Sequence, residues 1–150
     1  MTNYSPKRVI LDKNLSIRKS SYILKTSNKK NTFIIYNKGT KKKINQLKQK
    51  GVKLIKLKTK TNGFFDLITV LKKIYTFGCR NLLVEGGKTL TDNFLKNNLF
   101  NQFFLFQSNS KLGKNAELNV SRQLHQLTFK YKTKSKLNSF TGSDIIYLYT

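Results

Sequence analysis

The chain has 150 residues, of which 38% are hydrophobic and 12% aromatic, so it can build one folded core and does not have the composition of a disordered segment. No apolar run reaches the length of a membrane span and the amino terminus carries no signal-peptide pattern, so we expect a cytoplasmic protein with no membrane partner. A single cysteine, Cys79, excludes an internal disulfide. With a single histidine, His125, it leaves too few ligands for a protein-built zinc site.

The formal net charge of +24 comes mainly from lysine, because only four of the 30 basic residues are arginine. A charge of this size can indicate nucleic-acid binding, which is driven by the release of counterions from phosphates. Asparagine, isoleucine and phenylalanine are also abundant, as an AT-rich coding sequence would produce, and specific nucleic-acid readers favour arginine. We therefore favour the compositional explanation over a nucleic-acid partner and keep a basic nucleic-acid-binding module as the alternative function.

Hydrophobic periodicity predicts that helices alternate with strands through the middle of the chain. The predicted elements are, in order, strands at 8–12 and 31–37, a helix at 41–51, a strand at 52–58, a helix at 64–78, a buried strand at 81–85, a helix at 89–99, a buried strand at 101–108, a polar loop at 110–119, and strands at 125–137 and 143–150. This order predicts an α/β sandwich with a mostly parallel central sheet and an antiparallel C-terminal strand pair, in one domain covering residues 1–150.

The most informative stretch is the junction at Glu85, where an apolar run ends and Gly86 and Gly87 precede a helical pattern. Ligands of open α/β sheets bind beyond the carboxyl ends of the strands, and a helix N-terminus attracts phosphate. Glycines let the backbone approach such a ligand closely. Further donors would come from Lys88, Thr89 and Thr91. The alternative is a tight strand-to-helix turn with a solvated acid, and spacing alone does not decide between the two.

Four other residues are weaker candidates. Asp12 ends the first predicted strand and could line the same sheet edge as Glu85. His125 is expected at a strand edge, Cys79 as a small buried residue and not a nucleophile, and Asp144 in a hairpin turn.

Three blocks of the sequence match one known family in order and spacing. They are RVILDKNLSI, NLLVEGGKTLTDNFLKNNLFNQFFLFQSNSKLGKNA and FTGSDIIYLYT. Together they resemble the C-terminal reductase domain of the bacterial bifunctional deaminase/reductase of riboflavin biosynthesis. The V-E-G-G run followed by a helix, an apolar strand and an L-G loop is the most specific part, and the resemblance covers essentially the whole chain.

The resemblance implies a dihydrofolate-reductase-like fold and reduction of the ribosyl group of 5-amino-6-(5-phosphoribosylamino)uracil, a phosphorylated small molecule, to a ribityl group, with NADPH as the hydride donor. It implies that Glu85 contacts the substrate, and it identifies no catalytic residue. The residues that it implies for cofactor binding are Gly87, Lys88, Thr89, Leu90, Thr91, Asp92, Asn93 and Lys13. Lys13 departs from the family, where a small hydroxyl residue is usual, although a lysine suits a phosphate-bearing cofactor.

This sequence also lacks segments that members of the family contain. The opening strands of the reductase domain, which carry much of the substrate pocket, are absent, and so are the zinc motifs of the deaminase domain. We therefore expect a sheet that is incomplete at the N-terminus, with exposed apolar faces and strand edges. The isolated chain would then be weakly active or inactive unless a homodimer or a partner chain supplies the missing strands. An inactive remnant of the reductase is a further alternative.

Overall fold

The computed structural model describes residues 6–28, 31–108, 110, 122–131, 134–137 and 144–150. The chain divides into two compact units, Met1–Leu82 and Leu83–Thr150. The first unit contains β1 (Arg8–Leu11), α1 (Tyr22–Lys25), β2 (Thr32–Tyr36), α2 (Lys41–Gln49), β3 (Lys53–Lys56) and α3 (Leu67–Tyr75). The second contains α4 (Lys88–Lys96), β4 (Phe103–Gln107), α5 (Arg122–Lys130), β5 (Lys134–Leu137) and β6 (Ile145–Tyr149).

A three-stranded parallel sheet in the order β1-β2-β3 forms the centre of the first unit. All five residues of β2 are buried, because alternate side chains of a strand point to opposite faces and both faces are covered. Ile34 belongs to the same core cluster as Leu47 of α2, and Ile35 belongs to the same core cluster as Val70 of α3. The unit is therefore a three-layer α/β/α arrangement around β2.

Both long helices of the first unit begin beyond the carboxyl ends of the strands, and each begins with a side-chain cap. The hydroxyl of Thr40 accepts a hydrogen bond from the backbone N–H of Lys43 (3.2 Å), and the carboxylate of Asp66 accepts one from the backbone N–H of Thr69 (3.1 Å). Short polar side chains at this position satisfy the free N–H groups of the first helical turn. These local hydrogen bonds thus fix where α2 and α3 begin, beyond the carboxyl edge of the parallel sheet.

The second unit is built on a three-stranded antiparallel sheet in the order β4-β6-β5. One face of the sheet packs in a core cluster that includes Leu95 of α4, Leu127 of α5 and Tyr149 of β6. The opposite face of β4 carries Phe104 and Phe106, which are 44% and 67% exposed. Within the part of the chain that the structure describes, β4 pairs on one side only, so this unit has an open strand edge beside exposed aromatic rings.

The α/β fold class predicted from the sequence is confirmed, with parallel and antiparallel strands in separate sheets. The predicted central strand at 81–85 is wrong. Residues 81–87 form neither a helix nor a strand, and Leu83 is 79% exposed. A continuous apolar run becomes a strand only where neighbours pair with it and cover both faces, and no described strand pairs with this segment.

The predicted strand at 125–137 is also wrong over most of its length. Residues up to Lys130 belong to helix α5, and only Lys134–Leu137 form a strand. Leu124, Leu127 and Tyr131 have the spacing of one helical face, and all three pack in the core of the second unit. His125 therefore lies on a helix and not at a strand edge.

Two smaller differences remain. The one-turn helix α1, which buries Leu24, was not predicted, because four residues are too few for a periodic pattern. The strand predicted at 101–108 is present as β4 but is only half-buried, with the exposed rings described above. The predicted loop at 110–119 lies outside the described residues except for Ser110.

We expect Ile74→Ala in α3 to lower the free energy of unfolding by about 2–5 kcal/mol, because it removes a buried side chain and leaves a cavity. Ile74 is 5% exposed, whereas Ile68 on the same helix is 50% exposed. The matched change Ile68→Ala should therefore shift stability by less than about 1 kcal/mol. Urea unfolding followed by circular dichroism would measure both variants. Equal losses of unfolding free energy in the two variants would contradict the packing of Ile74 in the core.

Asp66 should make stability pH-dependent. Its ion pair with Lys60 (2.7 Å) and its hydrogen bonds to Thr69 lower the pKa of the carboxyl from 3.8 to about 2. A lowered carboxyl pKa stabilises the fold above the unfolded value, and that contribution is lost as pH falls from 3.8 through about 2. Asp66→Asn keeps the helix cap but removes the charge. Acid titrations of urea stability should show this loss in the original chain and not in the variant; a pH-independent difference would contradict it.

Candidate functional site

The N-terminus of α4 is the helix start that follows Glu85 and the two glycines. Gly87 is its N-cap residue, and the carbonyl oxygen of Gly87 accepts hydrogen bonds from the N–H groups of Leu90 (3.1 Å) and Thr91 (3.2 Å). Among the residues that the structure describes, no side chain caps this end, and no acid lies in the first turn. Helix geometry leaves the N–H groups of the first turn without an intrahelical acceptor, so this end carries partial positive charge and free donors.

The two glycines before α4 differ in what surrounds them. A Cβ atom on Gly86 would lie 2.9–3.2 Å from side-chain atoms of Leu90, which therefore packs directly on the Gly86 backbone. A Cβ atom on Gly87 would meet nothing within 4 Å, and the φ angle of Gly87 is an ordinary −72°. Gly86 is thus required by packing within the protein, whereas Gly87 leaves open space directly at the helix N-terminus.

The first two turns of α4 combine exposed donors with an anchored inner face. Lys88 and Thr89 are exposed, while Phe94 and Leu95 are buried. The side-chain amide of Asn93 donates to the carbonyl oxygen of Thr89 (2.8 Å), so this side chain braces the helix itself. The exposed end is therefore held in place by the buried end of the same helix.

Glu85 is exposed and lies two residues before the N-cap Gly87, in the segment without regular structure. The sequence pattern predicted that the Glu85 carboxylate lies at the end of a central strand, but this strand is not formed. Its carboxylate remains adjacent in sequence to the free helix N-terminus. An exposed carboxylate is a hydrogen-bond acceptor and suits a ligand that presents hydroxyl or amino donors.

Lys13 belongs to the first unit and lies just beyond the carboxyl end of β1. Its ammonium donates to the carbonyl oxygen of Gly63 (3.3 Å) and lies 5.8 Å from the centre of the Phe64 ring. The carbonyl oxygen of Lys13 accepts hydrogen bonds from the N–H groups of Asn37 (2.9 Å) and Lys38 (2.8 Å). Sequence reasoning missed the contact with Gly63, because 50 residues separate the partners and no local pattern links them.

Asp12 has a structural role at the same edge. Its two carboxylate oxygens accept hydrogen bonds from the backbone N–H groups of Ser16 (2.9 Å) and Ile17 (2.8 Å), which closes the loop after β1. Cys79 is half-buried and packs against the core cluster of Phe33 and Ile35, as expected of a small core residue. Asp144 directly precedes β6.

The structure brings together only the contiguous residues from Glu85 to Asn93, all in the second unit, and the grouping of Lys13 with them stays a prediction. Over the residues described, no three His, Cys, Asp or Glu side chains are close enough to hold a metal ion. None of the helices in the described ranges is long and apolar enough to span a membrane.

Comparisons with known proteins identify the family of this chain. The family profile of the RibD C-terminal domain matches residues 2–143. The riboflavin biosynthesis protein RibD of Aquifex aeolicus is 28% identical over 145 residues, which are 97% of this chain and 38% of that relative. The chain thus spans about two fifths of the length of the curated relative that it matches.

Two solved structures have a similar fold. RibD of Acinetobacter baumannii superposes with a TM-score of 0.61 at 21% identity, over 96% of this chain and 37% of the other. A pyrimidine reductase-like protein of Corynebacterium diphtheriae superposes with a TM-score of 0.66 at 16% identity, over 97% and 60%. The resemblance inferred from the V-E-G-G block and its flanks is confirmed, and the chain belongs to the RibD C-terminal domain family.

Proposed function

We propose that this chain is an NADPH-dependent reductase of riboflavin biosynthesis, which reduces the ribosyl group of 5-amino-6-(5-phosphoribosylamino)uracil to a ribityl group. Membership of the RibD C-terminal domain family supports the riboflavin pathway, and likeness to a pyrimidine reductase-like protein agrees with it. The observation that carries the proposal is the uncapped N-terminus of α4 with open space at Gly87. When bound, NADPH supplies the hydride; a proton completes the reduction.

The free helix N-terminus fits the phosphate groups of a nicotinamide dinucleotide. Backbone N–H groups of the first turn donate to phosphate oxygens, and the helix dipole, equivalent to about half a positive charge, attracts the anion. Lys88 adds a full positive charge, and the open space at Gly87 lets a phosphate reach the backbone. The residues proposed to hold the cofactor are Gly87, Lys88, Thr89, Leu90, Thr91, Asp92, Asn93 and, from the first unit, Lys13.

These residues contribute in different ways. Leu90 packs on Gly86, and the amide of Asn93 bonds to Thr89, so both hold the helix start in shape. Asp92 is half-buried and negative, so it cannot neutralise a phosphate, and any contact it makes with the cofactor would be to a donor group. Direct phosphate binding is therefore proposed for the backbone N–H groups, the hydroxyls of Thr89 and Thr91, and the ammonium groups of Lys88 and Lys13.

Glu85 is proposed to bind the substrate. Its carboxylate is exposed beside the helix N-terminus, where it can accept hydrogen bonds from ribosyl hydroxyl or amino groups. A carboxylate here would also repel a phosphate that moved away from α4. The proposed arrangement thus places the anionic part of the cofactor at Gly87 and the donor-rich part of the substrate at Glu85.

A further polypeptide segment is proposed to complete the enzyme, in a homodimer or with a partner chain. Leu83, Phe104 and Phe106 are exposed apolar side chains, and β4 has an open edge within the described part of the second unit. Surfaces of this kind usually mark a covered interface.

Gly87→Asp should weaken NADPH binding about 10- to 100-fold, because its carboxylate would accept the first-turn N–H groups and repel phosphate. Aspartate is a favourable N-cap residue, so the thermal midpoint should not fall. Gly87→Asn is the matched control, with a similar cap but no charge, and should lose less affinity. NADPH fluorescence titrations at two salt concentrations would measure binding.

Retained binding in Gly87→Asp would overturn the phosphate site. Binding that all three proteins lose at high salt would indicate attraction by the net charge alone. The absence of a cooperative melt in the original chain would favour the inactive-remnant alternative.

Glu85→Gln should weaken substrate binding about 10- to 100-fold, because an ionised acceptor contributes about 1.5–3 kcal/mol per hydrogen bond and the amide contributes less. NADPH affinity should stay within about twofold, since the phosphates contact a different group. Titration calorimetry with the substrate gives a result even if the isolated chain turns over slowly. Unchanged substrate affinity would show that Glu85 is only a solvated residue of the loop.

A further inference from the structure

Three lysine side chains converge on Phe77, just beyond α3. The ammonium of Lys53 lies 5.3 Å from the centre of the Phe77 ring, and that of Lys73 lies 5.9 Å from it. The ammonium of Lys7 donates to the carbonyl oxygen of Phe77 at 2.6 Å. These residues come from three separate segments: the stretch before β1, the first residue of β3 and the last turn of α3. We call Lys7, Lys53 and Lys73 the Phe77 lysine cluster.

The cluster lies at the amino edge of the parallel sheet, because the Phe77 ring stacks on Phe33 near the start of β2 (5.0 Å between centres). Residues 1–82 contain only two acids, Asp12 and Asp66. Asp12 follows the end of β1 and Asp66 caps the start of α3, so both lie at the opposite, carboxyl edge. Exposed positive charges are thus gathered where the unit has no carboxylate to balance them.

Local stabilisation explains only part of this arrangement. Lys73 lies in the last turn of α3, where a cation offsets the negative end of the helix dipole. Lys53 lies over the rings of Phe33 and Phe77, which is a favourable cation–π geometry but leaves its charge uncompensated. Lys7 donates to the Phe77 carbonyl oxygen just beyond α3, which uses one of the three N–H donors of its ammonium and leaves two for a ligand. An AT-rich coding sequence explains the number of lysines and not the convergence of three of them on one aromatic residue.

We propose that the Phe77 lysine cluster binds the phosphate backbone of a single-stranded nucleic acid. Exposed lysines act as mobile point charges, which suits several phosphates in a row without sequence readout. Tyr75, two residues from both Lys73 and Phe77 in the chain, is 59% exposed, and the Arg80 guanidinium lies 3.9 Å from its ring centre. Bases stack on such groups, which favours a single strand over an acidic peptide.

This proposal goes beyond the reductase and does not depend on it. The cluster lies in the first unit, at the edge of the sheet opposite to Lys13, whereas the proposed phosphate site of the cofactor is the N-terminus of α4. Three lysine–phosphate contacts predict that the logarithm of the affinity falls with the logarithm of salt concentration with a slope of about −2.

The test compares two charge-matched double variants of the full chain. Lys53→Glu with Lys73→Glu reverses two charges in the cluster. Lys42→Glu with Lys56→Glu reverses two exposed lysines outside the cluster and gives the same net charge. Fluorescence anisotropy with a labelled 20-nucleotide oligouridine would measure affinity over a salt series, and thermal melts would check folding. We expect the cluster variant to bind about tenfold more weakly with a salt slope reduced by 1 to 2, and the control to change less than about threefold.

Equal losses in the two double variants would overturn the proposal, because net charge alone would then explain binding. If charge reversal impairs folding, the double variant Lys53→Gln with Lys73→Gln is compared with Lys42→Gln with Lys56→Gln instead. Equal losses of affinity in these two variants would again overturn the proposal. Tyr75→Ala should weaken oligouridine binding and leave inorganic tripolyphosphate binding unchanged. Competition would distinguish the ligands. If polyglutamate or tripolyphosphate displaced the labelled oligouridine as effectively as unlabelled oligouridine at the same concentration of charge, the proposal would also be overturned.

Discussion

The burial of β2 on both faces is the constraint on which the first unit depends. Five consecutive residues, Thr32 to Tyr36, lie inside, so each face of the strand needs a helical layer and each edge needs a paired strand. Because α2 follows β2 and α3 follows β3 in a parallel sheet, both long helices begin at the same edge of the sheet. Lys13 and the capped helices therefore gather at the carboxyl edge, while the Phe77 lysine cluster lies at the amino edge. The first unit thus acquires two chemically different edges from one buried strand.

Helix starts in this protein come in two kinds, and the difference bears on function. The starts of α2 and α3 are closed by Thr40 and Asp66, so their donors are used within the fold. Among the described residues no side chain closes the start of α4, and a Cβ atom on Gly87, its capping residue, would have open space around it. A helix start without a cap costs stability, which makes it a reasonable place for a ligand to supply the missing acceptor. This contrast separates α4 from α2 and α3, while the four-residue helix α1 also begins without a side-chain cap.

Sequence reasoning was reliable where a local pattern has one physical solution. The run around Ile34 could only be a buried strand, and the periodic run at 64–78 could only be a helix with one inward face. It was wrong at 81–85, because a strand there needs partners that the pattern cannot reveal, and at Leu124 to Tyr131, where alternation hid a helical repeat. The Gly-Gly junction was found from the sequence, but the different roles of Gly86 and Gly87 depend on Leu90 packing. The contact of Lys13 with Gly63 required the folded chain.

The exposed rings of Phe104 and Phe106 on the open strand β4 have a consequence for how copies of this chain behave in a crowded solution. An apolar patch beside an unpaired strand edge favours contact between any two molecules that meet. The net charge of +24 opposes that contact, because two such molecules repel each other before their patches can touch. This repulsion reaches only about 8–10 Å at physiological ionic strength. Repulsion between the lysine-rich surfaces therefore opposes association through the open edge of β4, and this effect weakens as the salt concentration rises.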